Sequence, residues 1–212
     1  MTTIYLIRHG ESLGNLQKRF LGHTDWDLTE LGHRQAACTA ALFDGVHVDA
    51  VVSSDLLRAY HTALPVAEAK GLTVQTDVGF REIFAGDWER KTFDELVERY
   101  PESYRVWRTD IGRAHPDGGE SVLQLHERVY AALCRTVEAH PNETVVIALH
   151  ATPIRVLLTG FAGRPIEEAG QVPWVSNASV TKLRWEDGEF TVEYADYREH
   201  LGTLSTVFPS NV

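Results

Sequence analysis

The run Thr3-Ile4-Tyr5-Leu6-Ile7-Arg8-His9-Gly10-Glu11 decides how the rest of the chain is read. Its first part is β-branched and apolar, the composition of a strand buried on both faces, as inner strands of parallel sheets are. It then passes, with no polar spacer, into a cation, an imidazole and a glycine. A strand end that meets water can be polar for no further reason. A strand end beside a binding site has one: Arg8 to hold an anion, and His9 to react with it.

Outward from this strand, helices and strands alternate. Residues 28–43 have helical apolar spacing through Leu31, Ala36, Ala37, Ala40 and Ala41, with Thr29 as N-cap. A second strand, 48–54, leads into a helix over 55–71 that Gly71 stops and Pro65 is expected to bend. Residues 80–89 read as extended or loop-like, and 93–100 as a short helix ended by Pro101. Ser121 caps a long helix with apolar positions 122, 125, 129, 133 and 137 in register. A third strand, 143–150, precedes a helix over 152–163, and 179–185 with 190–197 form a hairpin turned at Asp187-Gly188.

This order predicts an α/β fold: three layers, α/β/α, around a mostly parallel but mixed central sheet with the hairpin at its antiparallel edge. One domain over residues 1–212 is expected, with about 83–120, rich in charge, aromatics, Gly and Pro, laid over the sheet as a small helical cap. Cys38 and Cys134 sit in apolar helical patterns and read as core filler. With 20 Lys and Arg against 30 Asp and Glu, the net charge of −10 makes nucleic acid an unsuitable partner. An acidic protein that takes an anionic substrate must gather its arginines locally. No apolar window is long enough for a membrane span, and the N-terminus shows neither a basic leader nor an apolar signal core, so a cytoplasmic protein is expected.

Ligands of open α/β sheets bind at the carboxyl ends of strands. Here the first strand ends at Arg8-His9, the second runs into Ser53-Ser54-Asp55 with Arg58 one turn on, and the third ends at His150. Two histidines and two arginines at three strand ends suit phosphoryl transfer, which needs directional positive donors and an in-line nucleophile. Arginine supplies paired donors to phosphate, and a neutral imidazole can attack phosphorus. A leaving alkoxide needs a proton. Glu82, among Phe80, Ile83 and Phe84, is the candidate acid, with Asp87 and Glu89 next along the same loop. No acidic cluster that would hold a metal is evident, so neither metal nor cofactor is expected.

These residues resemble a known family. "IRHGES" (7–12) with Asn15, "DLTELGHRQA" (27–36), "SSDLLRAYHTA" (53–63), "REIFAGDWE" (81–89), "GGES" (118–121) and "VIALHATPIR" (146–155) together resemble, in order, the motifs of the histidine phosphatase superfamily. That group includes the cofactor-dependent phosphoglycerate mutases. The resemblance implies a phosphoglycerate mutase-like fold, His9 as phosphoryl acceptor and Glu82 as proton donor. Arg8, Arg58 and His150 would clamp the phosphate, Asn15 would add a hydrogen bond, and the backbone at Ala151 would join them. One departure stands out: Ala151 replaces the glycine that usually follows the late histidine.

By the same resemblance, the short segment between Glu82 and Glu120 looks like the small phosphatase branch. It implies a metal-independent phosphomonoesterase acting on small phosphorylated metabolites, as a monomer or homodimer. The alternatives are a cofactor-dependent phosphoglycerate mutase and a non-catalytic phospho-ligand binder. Phe84, Trp88, Tyr104 and Trp107 either line a leaving-group pocket or pack the cap. His200 is a further candidate for the cleft, whereas His23, His33, His61, His115 and His126 read as solvated or capping residues.

Overall fold

The computed structural model describes residues 1–206. In chain order the elements are β1 (Thr2–Arg8), α1 (Leu13–Leu16), α2 (Glu30–Ala41), β2 (Ala50–Ser53), α3 (Leu57–Lys70), β3 (Val74–Thr76), α4 (Phe93–Arg99) and α5 (Pro101–Thr109). Then follow α6 (Val122–Ala139), β4 (Thr144–Leu149), α7 (Ala151–Phe161), β5 (Val180–Glu186) and β6 (Glu189–Tyr197). One six-stranded sheet has the order β3-β2-β4-β1-β5-β6. The first four strands in that order pair in parallel, and β5 and β6 add as the antiparallel edge.

Side-chain alternation along the inner strands explains the layering. Ile4 and Leu6 of β1, Val52 of β2, and Val145, Ile147 and Leu149 of β4 share one core with Leu125, Val129, Leu133, Ile154 and Leu157 of α6 and α7. The alternate residues Ile7, Val51, Val146 and Ala148 face a second core with Ala40 of α2 and Ala63, Val66 and Ala67 of α3. A strand buried on both faces has no polar side to show, which is why these segments are almost continuously apolar.

Local signals also act as expected. Thr29 accepts from Gly32 N–H at the start of α2, and Gly71 ends α3 in the left-handed conformation at φ 67°. Ser121 and Gln124 form a capping box on α6. Two readings need correction, and one strand went unread. The buried stripe of α2 runs through Gln35 and Thr39, while Ala37 and Ala41 are exposed. Gln35 turns inward because it bridges two pieces of chain, accepting from Glu11 N–H at 2.7 Å and donating to Leu204 O at 2.8 Å. Pro101 does not only end α4; it opens α5, where its missing N–H costs nothing. The three-residue strand β3 has no sequence signature of its own.

Segment 83–120 docks through aromatics. The Trp88 ring lies 5.6 Å from Tyr104 and 6.0 Å from Trp107, and Phe20 packs edge-on against both tryptophans. Arg128 on α6 fixes the segment's stem: it bonds Glu120 and donates to Gly79 O, Arg81 O and Glu82 O.

The turn after β1 is packed backbone against backbone. A Cβ built on Gly32 would sit 2.1 Å from Glu11 O, and one on Gly10 would sit 2.6 Å from Gly32 O. Neither contact can be relieved by turning a side chain. Gly32→Ala is therefore expected to lower the stability by about 1–3 kcal/mol in urea unfolding. Gly45→Ala, with no atom within 4 Å of the new methyl, should change it by less than about 0.5 kcal/mol.

Candidate active site

The sheet brings its reactive strand ends to one edge. Arg8 pairs in register with Leu149, and His9 N–H donates to Leu149 O at 2.9 Å, so His9 and His150 leave adjacent strands side by side. Their ring centroids are 5.1 Å apart. Ser53 of β2 pairs with Ala148 on the other side of β4, which aligns the 53–58 turn with the same edge. A cavity of about 160 Å³ opens there, with Arg8, His9, Asn15, Arg58, Glu82, Ala151 and Thr152 in its wall.

His9 is buried, and its Nδ1 lies 2.7 Å from Gly10 O. A carbonyl only accepts, so Nδ1 carries the proton and Nε2 keeps its lone pair. Burial, then the charges of Arg58 and Arg8, hold the His9 pKa well below its ordinary value. The ring is neutral at neutral pH. His150 is likewise kept neutral by burial and by Arg58. Its Nε2 is 2.9 Å from Ser54 Oγ, while its buried Nδ1 has no hydrogen-bond partner among the described residues.

The two arginines are almost wholly buried, Arg8 at 2% and Arg58 at 1% exposure. Arg58 gives Nη1 to Thr24 O at 2.9 Å and Nη2 to Gly22 O at 2.8 Å; Arg8 gives Nη1 to Val175 O at 2.6 Å. Burial lowers each guanidinium to about 10 while Glu82 pulls both upward, so both stay charged at neutral pH. The 22–24 loop that serves Arg58 is itself held by Glu89, which accepts from His23 N–H at 2.9 Å and Thr24 Oγ at 2.7 Å.

Glu82 is partly exposed as a residue because it lines the cleft, yet its carboxyl group is desolvated. That burial raises its pKa, against the lowering effect of bonds from Ile83 N–H and the Arg58 charge. Oε1 accepts from Ile83 N–H at 2.8 Å, and Oε2 from Thr152 N–H at 3.4 Å. Arg81 does not compete for it, being tied to Asp55 through bonds of 2.7 and 2.5 Å. Neither Asp87 nor Glu89 lines the cavity.

Asn15 closes the capping box of α1 with Ser12. Its Oδ1 accepts from Ser12 N–H, Ser12 Oγ and Asn177 Nδ2, at 3.1, 3.0 and 3.2 Å, which leaves its amide NH₂ to offer the cavity. Ala151 is the first residue of α7, and His150, at the N-cap, makes no side-chain cap bond. The first turn is thus left without a side-chain cap from His150, Thr152 N–H turning instead to Glu82, and a helical position imposes no penalty on alanine.

All seven sequence candidates thus line the cavity or, for His150, sit against it. Other candidates lie elsewhere. Of the four aromatics, only Trp107 reaches the cavity; Trp88 and Tyr104 are core, and Phe84 is 41% exposed against His23. His200 does not line it: its ring bonds Thr39 Oγ at 3.0 Å and stacks on Tyr197. The sequence reading missed Asn177, which donates to His9 O, Gly10 O and Asn15, and Trp174, which lies over the Arg155 guanidinium at 4.2 Å. It also missed His23, whose Nε2–H donates to Glu82 O at 2.9 Å. No motif marks the irregular 172–179 segment; only its Asn and Trp amid small residues hint at a role.

Comparisons with known proteins agree with this layout. The family model for the histidine phosphatase superfamily (branch 1) matches residues 4–196. Phosphoserine phosphatase 1 of Hydrogenobacter thermophilus is 33% identical over 202 residues, covering 95% of each chain. Among solved structures, Bacillus stearothermophilus YhfR superposes with a TM-score of 0.91 at 30% identity, over 95% of this chain and 100% of that one. A mycobacterial glucosyl-3-phosphoglycerate phosphatase in complex with VO3 gives 0.85 at 30% identity, over 92% and 99%.

The two neutral histidines set an acid limit on stability. Below about pH 6.5 the unfolded chain binds a proton at each ring and the folded chain does not, so stability falls as pH falls. His9→Gln removes one such group. Urea unfolding between pH 6.5 and 5 should show a slope flatter than that of the native chain, by up to about 1.4 kcal/mol per pH unit. Equal slopes would mean that His9 titrates normally in the fold.

Proposed function

Because the chain belongs to the histidine phosphatase superfamily, we propose that it is a metal-independent phosphomonoesterase working through a phosphohistidine on His9. The observation that carries this reading is the fixed tautomer of His9: Nδ1–H is committed to Gly10 O, and Nε2 is a neutral lone pair beside two buried guanidinium ions. The whole chain acts as a single domain, with segment 83–120 as the cap over the cleft.

In the first step Nε2 of His9 attacks phosphorus, a P–N bond forms, and the P–O bond to the leaving group breaks. Glu82, whose pKa burial raises, acts in its protonated form and gives its proton to the departing oxygen. In the second step Glu82, now a carboxylate, takes a proton from water as that water attacks phosphorus. The P–N bond breaks and inorganic phosphate leaves, returning both residues to their starting states. Arg8 and Arg58 neutralise the equatorial oxygens, being already held in place by Val175 O, Gly22 O and Thr24 O.

In this mechanism Ser54 Oγ donates to His150 Nε2, which lies 2.9 Å away, and the His150 proton sits on Nδ1 for a phosphate oxygen. The Asn15 amide and the α7 N-terminus at Ala151 complete the cradle. The small cavity and its Phe93, Trp107 and Trp174 lining suit a small phosphorylated metabolite. Phosphatase names among the relatives favour hydrolysis over mutase transfer, and the VO3 complex of the mycobacterial relative supports an oxyanion cradle.

His9→Ala should lower phosphatase activity by several orders of magnitude, and acid-labile, base-stable phosphate should be trapped on the native chain only. A fully active His9→Ala protein would rule out the covalent route.

Glu82→Gln should slow alkyl phosphates about 10²–10⁴-fold and nitrophenyl phosphate far less, since nitrophenolate leaves without a proton. The alkaline limb of the pH–rate profile should disappear with it. Equal slowing of both ester classes with an unchanged profile would make Glu82 a structural residue.

A further inference from the structure

Two histidines and a carboxylate that the phosphate cleft does not use meet on the outer side of α2 and α3. His33 lies in the first turns of α2, His61 in α3, and Asp27 in the loop before α2. One potential ligand atom from each lies within 4.8 Å of the other two. His61 Nδ1 is 2.6 Å from Asp27 Oδ1, and the His33 and His61 ring centroids are 5.7 Å apart at 40°. We propose that Asp27, His33 and His61 form a binding site for a divalent transition ion, with zinc as its best match.

The donor set selects the ion. Two imidazoles and one carboxylate are borderline N/O ligands, which suit zinc, nickel or copper and not the oxygen-seeking magnesium or calcium. Two of the three ligands are already in place. Asp27 accepts from Leu28 N–H at 2.7 Å, just ahead of the Thr29 cap, and His61 stands on a packed helix. His33 is exposed, so its ring is free to move onto the ion, while His61 Nδ1 and Asp27 Oδ1 part from 2.6 Å as zinc–nitrogen bonds of about 2.0–2.1 Å form. The ion takes the place of the proton between His61 Nδ1 and Asp27 Oδ1. That proton goes to solvent, and water fills the remaining coordination.

The location gives the site a consequence. Asp25 accepts from Leu57 N–H at 2.7 Å, and Gly22 O and Thr24 O hold Arg58, so residues 22–25 already grip the start of α3. An ion between Asp27 and His61 adds a second tie to α3, one turn further along.

Zinc titrated by calorimetry into the native chain should bind at one site. A hundredfold excess over Kd should raise Tm by about 5 °C. His33→Ala, at an exposed position that should not disturb folding, and Asp27→Asn should each weaken binding at least tenfold. His9→Ala should bind zinc like the native chain. Undiminished zinc binding in both His33→Ala and Asp27→Asn would overturn the proposal, as would loss of binding in His9→Ala alone, which would place the ion in the cleft.

Discussion

The structure depends on keeping two guanidinium ions out of water at one end of the sheet. A buried cation is tolerated only when hydrogen bonds replace its hydration, and removing a partner costs several kcal/mol. Arg58 meets this demand with main-chain carbonyls, Gly22 O and Thr24 O, and Arg8 does so in part with Val175 O. Carbonyls compensate burial without cancelling the charge as a carboxylate ion pair would. Much of the irregular chain follows from this. The 22–24 loop must turn its oxygens inward, Glu89 must hold that loop by His23 N–H and Thr24 Oγ, and the stretch before β5 must pass over Arg8.

Glu82 is set by a second chain of support. Its backbone carbonyl receives bonds from both Arg128 and His23, and Arg128 is in turn paired with Glu120. Phe84 N–H donates to Glu120 Oε1, and Glu120 N–H to Phe84 O. The "GGES" segment and the acid loop are thus laced together. This explains why a carboxyl group with a raised pKa can be held at a cleft wall without collapsing onto Arg81, which Asp55 takes instead.

The parts of the fold written in local chemistry were legible. Continuous apolar runs gave β1, β2 and β4, and capping residues such as Thr29, Ser121 and Gly71 marked helix ends. The candidate residues at strand ends were legible because open sheets collect ligands there, and the family's motifs named the other candidates. What could not be read comes from distant pairing. Asn177 matters because the chain returns 168 residues later to His9 O, and nothing within its own segment signals that return. Gln35 looks like a surface residue until Leu204 arrives to bond it. His200 fails as a cleft residue for the same reason: Thr39 on α2 and Tyr197 claim its ring. Asp27, His33 and His61 come from a loop and two helices, so no spacing rule for metal ligands could join them.

The arrangement that holds the arginines also prepares the histidine. Burial is the main reason that His9 stays neutral, and Arg58 and Arg8 add to it by opposing any further positive charge. A dianionic phosphate entering the cleft reverses that field. It pairs with the guanidiniums, and the opposition they exert on a protonated imidazole weakens. His9 is therefore a free base before substrate arrives, and in the proposed mechanism the phosphoryl group it takes up carries its own countercharge into the cradle. In that mechanism His150 experiences the same change from Arg58, and its Nδ1 then gains the acceptor that no described residue supplies. In the proposed mechanism one placement of positive charge thus serves binding and nucleophile activation together, with no separate base needed to deprotonate His9.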